Sequence, residues 1–409
     1  MGTPTIRTQR AASDWKYVQW EPEGTPRSVR YSAAYKAGKA GRYLLLAAAS
    51  GGDAFKVSVD GKQVVTQASE EGESPQALWL DLATGQTLDV VAEYLPHAAG
   101  LSFGMGVVYE RDLVTAEAKE FATKADAVVV AVGFNPAAEG EGHDRAFDLP
   151  WGQDALVNEI VAANPHTVVV LTGGGSLNVM PWLDKVPALL DSWYPGQEGG
   201  TAVAEILFAK HDPEGHLPVS WDRAWEDDPS AKWYYGDPAK DTSMQSTWND
   251  GKMKELKIRH IVYGDKLMVG YRYWTTAGKH PLYPFGFGLS YTTFHFSGLK
   301  VPAVATSGTS VPVSFDVTNT GSVEGAEVAQ LYVSDPSAKA DRPERELKGF
   351  EKVDLKPGET RHVTINLDAR AFSYWSETAM RWTIDPGKFA IRVGDSSEDT
   401  PLQAELKLK

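Results

Sequence analysis

The sequence predicts a multidomain protein in which an α/β layer with a parallel sheet stands between two all-β sandwiches. Three observations predict it. Short alternating strands with tight turns fill the first hundred residues, continuous apolar runs then alternate with helical spacing, and short strands finally return between loops rich in Gly, Pro, Asn and Ser. A chain of 409 residues exceeds one ordinary domain and fits two to four, each able to bury its own core. The reading divides it into a tail (1–14), an all-β sandwich (15–112), a parallel-sheet α/β sandwich (113–293) and a second β-sandwich of fibronectin type (294–409).

In the first sandwich, Gly41-Arg42-Tyr43-Leu44-Leu45-Leu46 and Phe55-Lys56-Val57-Ser58-Val59 read as strands. Asp60-Gly61 between Val59 and Gln63-Val64-Val65 is a strong hairpin signal, because both turn residues must adopt positive φ. The pattern changes at Ala125 to Val132 and His166 to Leu171, apolar runs of the kind that parallel strands buried on both faces require. Between them Gln153 to Ala163 has helical spacing, with Leu156, Ile160 and Val161 on one side. A third unit follows, with Ala188 to Trp193 as strand, Gly199-Gly200 as turn and Thr201 to Ala209 as helix. Strands of the last sandwich are expected at 311–317, 327–333, 360–367 and 387–393, with the aromatic run Pro281 to Gly288 as a buried linker.

Composition narrows the function. A net charge of -14 and a pI near 5.2 disfavour a nucleic-acid partner, which needs a clustered basic surface. No run approaches the roughly 20 apolar residues of a spanning helix, so no membrane partner is expected, and Met1-Gly2-Thr3-Pro4 has no apolar signal region. With no cysteine, disulfides, thiolate metal sites and cysteine nucleophiles are excluded. The 13 Trp and 16 Tyr suit stacking on pyranose faces, and suit large interfaces better still.

The chemistry-bearing segment follows the first parallel strand. Gly133-Phe134-Asn135-Pro136-Ala137-Ala138-Glu139-Gly140-Glu141-Gly142-His143-Asp144-Arg145 sets five ionisable side chains and three glycines where α/β folds keep ligands. Clustered carboxylates raise one another's pKa, and a glutamic acid so raised can donate a proton near neutrality. On spacing alone, a solvated acidic loop with an ordinary Asp-Arg bridge is the favoured reading.

Further motifs change that weighting. Glu-x-Glu-Gly-x-Asp-Arg followed by Leu149-Pro150 and Gln153 resembles the acid/base loop of family 3 glycoside hydrolases of the β-glucosidase type. Trp182-Leu183-Asp184, Ala188-Leu189-Leu190 and Trp193-Tyr194-Pro195-Gly196-Gln197-Glu198-Gly199-Gly200 resemble that family's second signature. Asp212 to Ser220, Tyr271-Arg272-Tyr273 and Pro284 to Phe294 are similar to its later course, in the family's order. The segment from Gly41 to Val64 is similar to the PA14 module that some members insert.

The resemblance implies a retaining exo-β-glycosidase acting on terminal β-D-glucosyl residues of an oligosaccharide or β-glucoside. A TIM-barrel aspartate attacks the anomeric carbon and a glutamate of the α/β domain protonates the departing oxygen. Glu141, which directly precedes Gly-x-Asp-Arg, is the favoured donor and Glu139 the alternative, while His143, Asp144 and Arg145 bind substrate or orient the loop. No cofactor and no metal are implied. The partner is a TIM-barrel domain or chain bringing the nucleophile, since no segment here reads as that barrel; a homodimer is left open. Ser13-Asp14-Trp15 copies the tripeptide around the family nucleophile but follows Arg10-Ala11-Ala12 rather than an apolar strand, so it is set aside. Family members are periplasmic or secreted, and the compartment of this chain is left open. The rival reading is a non-catalytic carbohydrate-binding or scaffold protein derived from such an enzyme.

Several remaining features have plainer expectations. Gly173-Gly174-Gly175-Ser176 reads as a tight strand-to-helix turn without the Lys of a phosphate loop. His166, His211, His216 and His260 lack metal-ligand spacing, and Asp53, Asp60 and Glu70 to Glu73 read as solvated loop carboxylates. Trp233-Tyr234-Tyr235 is expected to pack between domains.

Overall fold

The computed structural model describes residues 7–8, 28–49, 53–67, 76–95, 103–136, 138–140, 145–247, 253–338 and 341–409. These fall into two compact units, one of residues 1–173 and 179–193, the other of 174–178 and 194–409.

The first unit begins with a two-sheet sandwich. Strands β1 (Arg7–Thr8), β2 (Val29–Lys36), β4 (Ala54–Val59), β5 (Lys62–Gln67) and β7 (Thr87–Leu95) form one sheet in the order β1-β2-β7-β4-β5. Strands β3 (Gly41–Ala49), β6 (Gln76–Leu82) and β8 (Phe103–Tyr109) form the other, in the order β6-β3-β8. Strict alternation explains the arrangement: Leu88, Val90, Ala92 and Tyr94 of β7 and Phe55, Val57 and Val59 of β4 point into a core shared with Tyr43, Leu45 and Ala47 of β3. The Asp60-Gly61 hairpin forms with φ of 51° and 78°, and Asp60 Oδ1 accepts a hydrogen bond from Asp89 N at 2.8 Å. Asp53 departs from the expectation of a solvated carboxylate. It is fully buried and accepts a hydrogen bond from the Tyr94 hydroxyl, and burial and then Asp53 itself push the Tyr94 phenol pKa up. Glu70 to Glu73 and Ser13 to Trp15 lie outside the described residues.

Helix α1 (Ala116–Lys124), capped by the Thr115 hydroxyl on Ala118 N, opens the α/β part. Strands β9 (Val128–Gly133), β10 (Thr167–Thr172) and β11 (Ala188–Asp191) form a parallel sheet in the order β11-β10-β9, with helix α2 (Gln153–Ala163) crossing between the first two. The first strand starts at Val128 rather than Ala125, because Ala125 to Ala127 belong to the turn after α1, where Asn164 Nδ2 donates to Ala122 O and Ala125 O. Gly173 to Ser176 lead into irregular chain, not the helix expected there, and the next regular element is the 3-10 turn Leu183–Lys185.

The second unit holds helix α3 (Gly199–Leu207), the single turn α4 (Ala231–Tyr234), the hairpin β12 (Thr242–Thr247) with β13 (Met253–Ile258), and helix α5 (Tyr271–Ala277). Tyr234 and Tyr235 correct the expectation of interdomain packing, for both are exposed, and Tyr234 stacks edge-on with Trp225 and with Tyr235. A second sandwich follows. Strands β14 (Phe294–Lys300), β16 (Val311–Asn319) and β19 (Thr360–Leu367) form one sheet. Strands β15 (Val304–Ala305), β17 (Gly325–Ser334), β18 (Glu346–Leu355), β22 (Gly387–Gly394) and β23 (Leu402–Leu408) form the other. The short helix α6 (Ala369–Phe372) and the hairpin of β20 (Tyr374–Ser376) and β21 (Arg381–Thr383) interrupt it.

The aromatic run is the bracket of this unit. Tyr283 stacks on Phe287 at 5.0 Å, Phe285 lies 4.9 Å from Tyr271, and Gly286 adopts φ 85° where any Cβ would meet the Gln330 amide. Gly286 O accepts from Gln330 Nε2 and also meets His216 Nδ1, whose other ring nitrogen lies 3.5 Å from buried Glu327. Burial and then Asp395 and Asp212 push the Glu327 carboxyl up to about 7. Asn319 is wholly buried: its Oδ1 accepts from Thr292 Oγ1 and Gly321 N, and its Nδ2 donates to Val323 O and Leu355 O, at 2.7 to 3.0 Å. Asn319→Ala would orphan those groups together. A loss of roughly 2–4 kcal/mol follows, seen in calorimetry as a fall of roughly 5–10 °C in the second unit's transition.

Candidate active site

The candidate site is built where the three parallel strands end. At the end of β9, Gly133 has φ 150°, and a Cβ there would stand 2.0 Å from Thr172 O. No side chain fits, so glycine is the only residue that lets the two strand ends close up while the chain turns out. The Gln153 side chain then locks that peptide from the other side: its Oε1 accepts from Gly133 N at 2.6 Å and its Nε2 donates to Gly133 O at 2.8 Å. Gln153 is also the first residue of α2, so helix and loop root are fixed by one amide. Beyond the root, Phe134 N donates to Thr172 O, and Asn135 O accepts from Ala138 N and Glu139 N, which coils the chain into a turn.

That turn brings Glu139 back toward Arg145. Arg145 Nε lies 3.5 Å from Glu139 Oε1, both side chains mostly buried, and the guanidinium sits 4.8 Å from the centre of the Phe134 ring. Phe134 is itself buried, so the ring and the ion pair tie the two ends of the loop to its base. Glu141, His143 and Asp144 lie outside the described residues, between the described Gly140 and Arg145. Of the sequence candidates, the structure therefore brings Glu139 and Arg145 together.

A carboxylate that sequence reasoning did not single out stands two strands away. Asp191 ends β11; its Oδ1 accepts from Trp193 N at 3.1 Å, while its Oδ2 is buried without a hydrogen-bond partner among the described residues. Burial raises its pKa to about 6, against the Trp193 N–H bond that lowers it. Trp193 adopts φ 51°, a strained conformation for a bulky residue, which turns the chain sharply at the strand end. Ser192 Oγ donates to Leu171 O and meets Thr172 Oγ1 at 3.3 Å, so the ends of β10 and β11 are stitched together. The signal for Asp191 was its place, a lone carboxylate at the end of an apolar strand. Nearby, Trp182 is fully buried and donates from Nε1 to Asp154 Oδ1 at 2.8 Å, closing the helix face against the sheet. Among the described residues no group of three or more His, Asp or Glu lies close enough to hold a metal ion, and no helix is long and apolar enough to cross a membrane.

A glycine-rooted loop at the end of a parallel sheet, ahead of a fibronectin-like sandwich, places the chain in a class of multidomain α/β and β-sandwich proteins. The model of the glycosyl hydrolase family 3 C-terminal domain matches residues 24–291, and that of the fibronectin type III-like domain matches 327–397. The chain belongs to glycoside hydrolase family 3. It is 42% identical over 284 residues to an exo-alpha-(1->6)-L-arabinopyranosidase of Bifidobacterium breve, covering 69% of this chain and 35% of that protein. It is 39% identical over 319 residues to beta-glucosidase B of Emericella nidulans, covering 76% and 36%. Among solved structures, a beta-glucosidase of Streptomyces venezuelae in complex with D-glucose superposes with TM-score 0.69 at 30% identity, over 99% of this chain and 50% of that one. The Bifidobacterium adolescentis family 3 beta-glucosidase gives TM-score 0.64 at 40% identity, over 72% and 40%. The chain thus spans between about a third and a half of the length of these relatives.

Two outcomes follow from the geometry. Gly133→Ala must push the ends of β9 and β10 apart, and the soluble yield and the first unit's thermal transition should both fall sharply, whereas Gly61→Ala, where a Cβ would meet nothing within 4 Å, should cost only the strain of its turn. Asp191 has a folded pKa above its unfolded value, so its ionisation opposes folding: the penalty is absent below pH 4, grows as pH rises toward 6 and is complete above it. Asp191→Asn, which keeps the acceptor for Trp193 N, should accordingly stabilise the first unit at pH 7.5 by on the order of 1–2 kcal/mol after solvent screening and not at all at pH 3.5, as read by urea denaturation at the two pH values.

Proposed function

We propose that this chain is the portion of a retaining exo-β-glycosidase, of β-glucosidase type, that supplies the acid/base carboxylate for hydrolysis of terminal β-D-glucosyl residues. The observation that carries this reading is the loop itself. Its root is fixed by the Gly133–Gln153 amide pair, and Glu139, Arg145 and Phe134 hold one another on either side of the sequence that contains Glu141. Glu139, held to Arg145, serves as the loop's internal strut. Glu141 is the residue left for chemistry.

In the proposed cycle the protonated Glu141 gives its proton to the glycosidic oxygen as an aspartate, brought by a TIM-barrel domain or chain, forms a bond to the anomeric carbon and the C–O bond breaks. The ionised Glu141 then takes a proton from water, whose oxygen attacks the anomeric carbon and displaces the aspartate, so that configuration is retained and Glu141 returns to its acid form. Carboxyl groups about 5 Å apart suit this double displacement. His143 and Asp144 are proposed to contact the sugar or orient the loop. The first sandwich is proposed to be PA14-like, on its Gly41 to Val64 strands and their hairpin, as an accessory module of the same enzyme.

The test is turnover of aryl β-glucosides by this chain together with the N-terminal half of a related family 3 enzyme. The chain by itself should be inactive, and the pair active. Glu141→Gln should lower kcat for a poor leaving group such as methoxyphenol by about a thousandfold, and much less for dinitrophenol, which departs without a proton. Glu139→Gln should cost less and affect both leaving groups alike. A Glu139→Gln effect that depends on the leaving group, with Glu141→Gln indifferent to it, would reverse the two roles.

A further inference from the structure

The second unit carries a groove of about 1330 Å³, lined by its fibronectin-like part and by the stretch from Lys266 to Arg272, that the chemistry above does not use. Phe350 of β18 and Trp375 and Trp382 of the β20–β21 hairpin all open onto it. Trp375 and Trp382 are directly opposed across the hairpin, ring centres 5.7 Å apart and planes at 67°. A cross-strand indole pair stabilises a two-stranded ribbon. That role explains the pairing but not the exposure: Trp375 is 46%, Trp382 47% and Phe350 65% accessible, on one concave surface. Large rings gathered in this way mark a binding surface more often than idle exposure.

The charges around the rings set the chemistry of the ligand. Glu346 takes Arg342 at 2.8 Å, Lys348 at 3.4 Å and Arg272 at 3.5 Å, and Arg342 also bridges to Asp335 at 3.4 Å and donates to Phe372 O at 3.2 Å. Burial opposes the Glu346 charge, yet the three cations outweigh it and hold the carboxyl below its usual range. Asp368 is engaged as the cap of α6, accepting from Ala371 N at 3.1 Å, and the Arg370 guanidinium lies 3.3 Å from the centre of the Trp382 ring. With Lys266, Asp341 and Glu377 added to the lining side chains just named, the groove has five basic and four acidic groups, so its net charge is close to zero. A polyanion or polycation would find them compensated, whereas hydroxyl groups can share paired carboxylates and guanidiniums without breaking a pair. Ring stacking beside compensated charge fits a neutral polymer with alternating hydroxyl rims and apolar C–H faces.

We infer that this groove binds a neutral polysaccharide chain, with Trp375 as its principal stacking platform because one face of Trp382 is already covered by Arg370. Such a site holds polymeric carbohydrate in the second unit, apart from the acid/base loop of the first, and its existence does not depend on whether that loop is catalytic. The experiment is affinity gel electrophoresis of the whole chain in gels containing hydroxyethylcellulose, mixed-linkage β-glucan, galactomannan or, as the charged comparison, polygalacturonate. At least one neutral polymer should retard the protein, and polygalacturonate should not. Trp375→Ala should weaken retardation at least tenfold and Phe350→Ala two- to fivefold; Phe350 lies outside the hairpin, so its variant keeps the test valid if loss of Trp375 unravels the ribbon. Glu141→Gln should bind as the parent does, which separates this site from the proposed chemistry. Failure of every neutral polymer to retard the chain, stronger retardation by polygalacturonate, or undiminished binding by both aromatic variants would overturn the assignment.

Discussion

The approach of Gly133 to Thr172 is the constraint on which the candidate site depends. Two parallel strand ends meet more closely than any side chain permits, and this contact decides where the acidic loop leaves the sheet. The Gln153 amide makes the arrangement rigid by satisfying both polar groups of the Gly133 peptide, which could not otherwise pair at the end of a ladder. Glu139, Arg145 and Phe134 then repeat the principle one level up, with an ion pair resting on a buried ring instead of an amide resting on a backbone. The described parts of the loop, from Gly133 to Asn135 and at Glu139 and Arg145, are therefore held from the root outward.

A second theme is the cost of burying acid groups in an already acidic protein. Asp191, Asp222 and Glu327 are all pushed upward, chiefly by burial, to about 6, 7 and 7. Neighbouring carboxylates add to the last two, Asp228 and Asp227 beside Asp222, Asp395 and Asp212 beside Glu327. Glu346 shows the opposite solution, with three cations gathered around one buried carboxylate. One chain thus holds carboxyl groups shifted in both directions, upward where burial dominates and downward where cations gather, and the local surroundings rather than the net charge decide the direction.

Much of this was legible in the sequence. Apolar runs without alternation gave the parallel strands, and Gln153 to Ala163 and Thr360 to Leu367 form as read, because their patterns match the period of the element they become. The acidic loop was legible as a candidate through its motif, while the physical reason for Gln153 was not, since a side chain that closes on a backbone twenty residues earlier leaves no local pattern. Helix α1 was missed because its short, Ala- and Lys-rich surface has little apolar periodicity, and the β12–β13 hairpin because its strands are polar. Asp53 was misread for a related reason: its partner, Tyr94, is forty-one positions away, so nothing nearby announces that the carboxylate is buried. Trp375 and Trp382 likewise acquire meaning only when the hairpin sets them side by side.

The parallel sheet bears a consequence of another kind. Within the described residues it has three strands, and β9 and β11 are both edges, the first showing Val129 to solvent. Each edge is a row of amides that another strand can extend without threading, which is the geometry that lets chains add to one another. Against it stands the mutual repulsion of a formal charge of -14. Colloidal behaviour then becomes a contest between edge pairing and long-range repulsion, and salt acts on only one side of it: screening shortens the reach of the charge and leaves the amides untouched, so added salt tilts the balance toward edge pairing.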